Sequence, residues 1–128
     1  NTDVTIPNWL GFDMKADGKA LFVATKTTLE IYRRSSLIEP FTIEESRPIE
    51  DTEAVAFPSV SFDEQEVLFD EYGDVYRAQL SADGKRYENK QRFSVEGDTC
   101  LHYIGADFSA DAMAVTYTCD KTIHIAVR

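Results

Sequence analysis

The side chains of this sequence able to do chemistry are carboxylates gathered in turns, two histidines, and two cysteines at positions 100 and 119. Carboxylates crowded around one mouth focus a negative potential that favours a cation or a basic peptide. Held roughly 5 to 9.5 Å apart, two of them can also hydrolyse a glycosidic bond. Calcium needs six to eight converging oxygens, and no D-x-D-x-D-G spacing occurs here. The expected cofactor set is therefore none, with calcium the one ion the acid content admits. His102, beside Tyr103 and near Asp107, stands on what reads as an innermost strand, where a ligand or proton-transfer role competes with that of a satisfied channel histidine. His124 takes a place held elsewhere by tyrosine and reads as one flat polar ring replacing another. No G-x-S-x-G, H-E-x-x-H, C-x-x-C or phosphate-binding glycine loop is present.

These residues sit in a repeating frame. From 54 to 95 short β-branched or aromatic runs alternate with turns at Ser61-Phe62-Asp63, Asp70-Glu71-Tyr72-Gly73 and Ser81-Ala82-Asp83-Gly84, which spells a four-stranded antiparallel meander. It recurs on either side. Asp17, Asp63 and Asp111 mark equivalent turns at spacings of 46 and 48 residues, and Ile31-Tyr32, Val75-Tyr76 and Ile123-His124 follow in the same order. A repeat of that length in short strands argues for radial repetition rather than a sandwich.

The pattern Ser-x-Asp-(Gly), an apolar run, Asp74-Val75-Tyr76-Arg77 and a further Asp-Gly turn resembles the β-propeller repeats of the TolB type, relatives of the WD-repeat propellers. The resemblance implies an all-β fold and says little about activity, because propellers host unrelated functions. The expected architecture is three four-stranded antiparallel blades of a β-propeller in a single segment, 1–128. Blade one covers about 8–43, with its outer strand at 37–43. Blade two covers about 54–95, and blade three about 99–127, completed by a strand at 3–6. Three blades leave two apolar faces open, so the chain is expected to be half of a roughly six-bladed ring, closed by a second copy or by the remainder of a parent chain.

Composition narrows the partners. The formal charge of −10 repels phosphate backbones and anionic lipid, so nucleic acid is not expected, and no apolar run is long enough for membrane insertion. If 100–107 and 112–119 are the arms of a hairpin, residues whose numbers sum to 219 face each other, and 100 plus 119 is 219. Cβ atoms of such a pair lie roughly 4.5 to 5.5 Å apart, within reach of a disulfide after modest adjustment. A Cys100–Cys119 bond implies an exported protein, secreted or periplasmic. The alternative is two buried thiols.

Sorting loops by rim places Glu44, Glu45, Glu50, Asp51, Glu53, Asp70, Glu71, Glu96, Asp98 and Asp120 together, against Lys26, Arg47 and Lys121. The alternative to a binding mouth is a solvated loop face. Tyr72, an aromatic in an acidic turn beside Gly73, is the natural anchor for a ligand. The expected ligand-binding set is Glu71, Tyr72, Asp98, Asp120, His102 and Arg47, with no catalytic residue. The expected function is non-catalytic recognition or assembly in an exported protein, with a protein, peptide or glycan bound at the acidic rim. The alternative is a propeller portion of a larger hydrolase or lyase.

Overall fold

Wherever a β-branched or aromatic run meets one of the Asp-centred turns, the chain doubles back on itself. The computed structural model describes residues 10–128, and all regular structure in them is β. Blade one comprises β1 (Phe12–Met14), β2 (Ala20–Thr25), β3 (Thr28–Arg33) and β4 (Thr42–Pro48), paired in sequential antiparallel order. Blade two repeats this with β5 (Ala56–Val60), β6 (Glu66–Glu71), β7 (Asp74–Leu80) and β8 (Tyr87–Arg92). Blade three contributes β9 (Ile104–Phe108), β10 (Ala114–Cys119) and β11 (Thr122–Val127). The strand expected at 3–6 lies outside the described residues. The fold is that of partial propeller blades, as the repeat predicted.

One boundary moves. The outer strand of blade one is Thr42–Pro48 rather than 37–43, so Glu44 and Glu45 belong to a strand and not to a connector. Thr42, Ile43 and Glu44 are all exposed. An outermost strand has little of its surface buried, so its residues lose the apolar alternation that announces a strand.

The turns explain why the repeat is legible. Ser61, Ser81 and Ser109 donate their hydroxyls to Asp63, Asp83 and Asp111 at 2.7, 2.6 and 2.6 Å. Each Asp then accepts the backbone N–H two residues on, at 3.1 Å in all three turns. The serine bond, seconded by that N–H, holds all three carboxyls below the usual carboxylate range. Asp17 makes the same backbone contact at 2.9 Å without a serine. Such Asx-type bonds fix a tight turn locally.

Successive blades stack face to face. The side of blade one turned to blade two carries Phe22, Ala24, Leu29 and Ile31, which pack on Val60, Val67, Phe69 and Tyr87. Blade two in turn sets Leu68, Val75 and Phe93 against Tyr103, Val115, Tyr117 and Cys119. The stacked pair Phe69–Tyr76 (6.0 Å) recurs one blade later as Tyr117–His124 (5.3 Å), so His124 does stand in for the repeat tyrosine.

The innermost strands make the closest approach. Gly11, Phe57 and Gly105, at the repeat spacings of 46 and 48, all have positive φ (123°, 46° and 60°) and put a kink at the same place in each blade. A Cβ on Gly11 would lie 2.7 Å from the Phe57 nitrogen, so only glycine lets blade two come this near. Here the Phe57 N–H donates to the Leu10 carbonyl at 2.9 Å.

Candidate functional site

The loops after β2, β6 and β10, together with the connectors 49–55 and 93–103, form one rim. Tyr72-Gly73 and Asp120-Lys121 are two-residue turns with both φ values positive, the geometry that suits the twist of a hairpin. This turn drives the Tyr72 ring outwards. It is 76% exposed, and its hydroxyl donates to Glu53 Oε2 at 3.2 Å, which raises the phenol pKa. Asp120 is exposed beside it in the repeat, at the equivalent turn of blade three.

Glu71 behaves differently from its expected role. Its carboxylate is buried and turned inwards, where Oε2 accepts the Glu53 N–H at 2.6 Å and the Ala54 N–H at 3.3 Å while Oε1 pairs with Lys90. Burial alone would push its pKa up, but Lys90 and the two N–H groups hold it below the usual range. Glu71 therefore fastens the connector to blade two instead of meeting a ligand. Asp98 is similarly engaged, its Oδ2 accepting the Tyr117 hydroxyl at 2.5 Å and its Oδ1 the Cys100 N–H at 2.9 Å, which lower its pKa.

His102 is not in the channel. Strand β9 begins at Ile104, so His102 lies on the rim connector, exposed, with Nδ1 3.1 Å from Asp74 Oδ1. Arg92 Nη2 reaches the same oxygen at 3.0 Å. Arg47 is not on the rim either. It sits buried between blades one and two, with its guanidinium 2.6 Å from Glu45 and 3.2 Å from Glu64. Glu44 and Glu45 also leave the rim, because β4 starts beside Arg33 at the far end of β3, where Arg33 pairs with Glu44 at 2.5 Å.

Glu64 is the centre of that far cluster. Lys15 (3.1 Å), Arg33 (2.6 Å) and Arg47 (3.2 Å) surround one carboxylate, and its backbone carbonyl accepts the Tyr87 hydroxyl at 2.9 Å. Burial would raise the Glu64 pKa, but the bonds from Arg33 and Lys15 bring it to about 2. Burial pushes the Tyr87 phenol up to about 12.

Cys100 and Cys119 are bonded, with Cα atoms 6.0 Å apart. The register behind the prediction is wrong, though. Val115 faces Phe108 and Thr116 faces Asp107, sums of 223 rather than 219, and a bulge then shifts Thr118 to Ile104. Cys100 lies outside the strand altogether. The better account is the repeat, since Cys119 is 48 residues after Glu71. Both reach from the end of a second strand to tie down a connector, one by hydrogen bonds and one covalently.

Sequence reasoning missed the polar series carried by the inner strands. Asp13, Ser59 and Asp107 recur at 46 and 48 residues, the spacing of the turn aspartates, and that was the available signal. Asp13 Oδ2 accepts the Val60 N–H at 2.8 Å, and Ser59 Oγ accepts the Phe108 N–H at 3.0 Å. Each residue thus holds the innermost strand of the next blade by its backbone. Ser59 also donates to Asp107 Oδ1 at 2.6 Å. The three border a cavity of about 200 Å³. Burial raises the Asp13 pKa to about 6, with the charge of Asp107 adding to it. Ionisation of Asp13 therefore opposes the fold as pH rises from 3.8 through about 6. Asp70 is likewise raised to about 6 by burial, against an N–H bond from Gly105.

Among the described residues no group of three or more His, Cys, Asp or Glu is placed to hold a metal ion, and no helix is long and apolar enough to cross a membrane. No protein-family profile matches the chain, and no curated protein matches it. Among solved structures it is similar to a candidate 6-phosphogluconolactonase from Bacteroides fragilis, at 12% identity and a TM-score of 0.60. The likeness covers 97% of this chain but 38% of that one, so the chain spans well under half the length of its structural neighbour. At that identity it shows a propeller-type fold and nothing finer.

Proposed function

We propose that this chain is a TolB-like propeller segment of an exported protein and works as a non-catalytic recognition module, taking a protein, peptide or glycan at the rim around Tyr72. The observation that carries this reading is Tyr72 itself, an exposed aromatic held outward by its turn and by Glu53. Amphipathic rings of this kind present large contact area at low entropic cost and dominate many interfaces. Exposed Asp51 and Asp120 on the same rim favour a basic peptide or a polyhydroxylated glycan. The disulfide supports an oxidising, exported compartment, secreted or periplasmic. No cofactor is required, and calcium is not needed to arrange Tyr72. Nucleic acid stays outside the partner class on grounds of charge, and membrane insertion for want of a long apolar run.

Binding measured against a basic-peptide panel and a glycan array, with and without calcium, tests this. Tyr72→Ala is expected to weaken the best binder by roughly 30-fold, the cost of losing a hot-spot aromatic. Undiminished affinity in that variant would count against the rim. The second reading, a propeller portion of a larger hydrolase or lyase, is favoured by Asp13, a carboxyl that titrates near neutrality beside a cavity. Turnover in a parallel panel of esters, lactones and glycosides, lost in Asp13→Asn or His102→Ala, would favour that reading instead.

A further inference from the structure

We propose that the face of blade three turned away from blade two seats a second copy of this chain, through the copy's blade one. The repeat shows what this face is built for. Leu29, Val75 and Ile123 are equivalent positions on the third strands, and each points towards the following blade. Leu29 and Val75 are 0% and 2% exposed because a blade covers them, whereas Ile123 is 75% exposed. Ile31 and Ile125 repeat the contrast at 0% and 68%. Val127 and Ile104 extend the same uncovered surface. Thr116 lies between Ile125 and Asp107 in the sheet, so the apolar patch on β11 gives way to polar groups towards the innermost strand. In a chain with 28% charged residues, the exposed cluster of Ile104, Ile123, Ile125 and Val127 has the character of an interface centre, with Asp107 at its margin.

Two backbone features say that the occupant is a blade and not an arbitrary apolar body. Asp13 and Ser59 each accept an N–H from the innermost strand of the next blade, and Asp107 is the third member of that series. Gly105 holds the place of Gly11. A Cβ on Gly11 would collide with the next inner strand, while the space over Gly105 is open to 4 Å. Blade three thus keeps both the acceptor and the clearance for a further inner strand.

Blade one of a second copy offers the matching side. Met14 stands at the position of Val60, 46 residues earlier, and is exposed where Val60 is buried against blade one. Leu21 stands at the position of Val67. The Met14 N–H, which now meets the neighbouring Asp13 carboxylate, is in the place from which Val60 donates back to the preceding blade. Head-to-tail contact made twice closes two chains into a ring of six blades, burying Ile123 and Ile125 of each copy against the exposed Met14 of the other.

Light scattering over a range of concentrations tests this with the 128-residue chain. The wild type is expected at twice its 14.5 kDa mass. Ile125→Lys and Met14→Lys, both at exposed positions of the single chain, should each leave a folded monomer with association weakened at least roughly 100-fold. Mixing the two variants should restore a dimer, because the mixed pair keeps one intact contact of the two. A wild type that stays monomeric at every concentration overturns the second copy and leaves the face to a different blade. A dimer that survives Ile125→Lys, or variants that do not complement, overturns it equally. Tyr72→Ala should leave the mass unchanged, so the rim reading and this one fail separately.

Discussion

Replacing Cys100 and Cys119 together with alanine is expected to lower the unfolding free energy by about 3 kcal/mol, the loop-closure entropy of a crosslink with this sequence separation. The separation is 19 residues, and the bond closes the whole connector 93–103 onto the end of β10. Hydrogen bonds already hold part of that segment, since Asp98 meets Tyr117 and the Val95 N–H reaches the Tyr103 hydroxyl at 3.2 Å. Loss should therefore fall on blade three, where Tyr103 and Tyr117 pack edge-on against Phe93. Blade two has no crosslink at the equivalent place, where Glu71 does the same work. Urea unfolding of the wild type and the double variant at equal pH checks this. A difference below about 0.5 kcal/mol would mean that the noncovalent ties alone define the connector.

Glu64→Ala is expected to cost a similar amount, about 3 kcal/mol, because removing the shared anion takes the carboxylate from Lys15 and leaves Arg33 and Arg47 to Glu44 and Glu45 alone. Lys15, Arg33 and Arg47 would all face a missing anion, and Arg47 and Tyr87 lie in the contact between blades one and two. The effect must depend on pH in a set direction. The Glu64 carboxyl has a folded pKa of about 2 against an ordinary 4.5, so its contribution is present above about 4.5 and fades as pH falls towards 2. Wild type and variant should differ most at neutral pH and converge in acid. A difference constant from pH 7 to pH 3 would mean that Glu64 acts by packing and not by charge.

Much of this fold is written openly in the sequence. The turn aspartates and the hydrophobic runs between them mark three hairpin-rich units, and those units are the three sheets. What stayed hidden depends on contacts between units. The part of β4 from Glu44 to Pro48 reads as a connector because Glu44, Ser46 and Pro48 face water. The register of β10 against β9 is set by a turn over 109–114, wider than the count assumed, and it slips again before Ile104. Glu71 and Arg47 look like rim charges until another strand supplies Lys90, or another blade supplies Glu64. The series Asp13, Ser59 and Asp107 keeps the repeat spacing, but a serine between two aspartates conceals it. Each of the three shares the ability to accept an N–H, a property that letter identity does not display. Tyr72, by contrast, was legible, because the turn that exposes it is local.

The blades stand side by side around an axis, with each innermost strand held by the blade before it. Backbone hydrogen exchange at the edge strands β5 and β9 tests it most directly. The amides of Val60 and Phe108 point away from their own sheets and are covered by Asp13 and Ser59. They should exchange at least roughly 100-fold more slowly than open edge amides, and Asp13→Ala should speed Val60 while leaving Phe108 slow. Fast exchange at both amides in the wild type would contradict the stacking and everything derived from it.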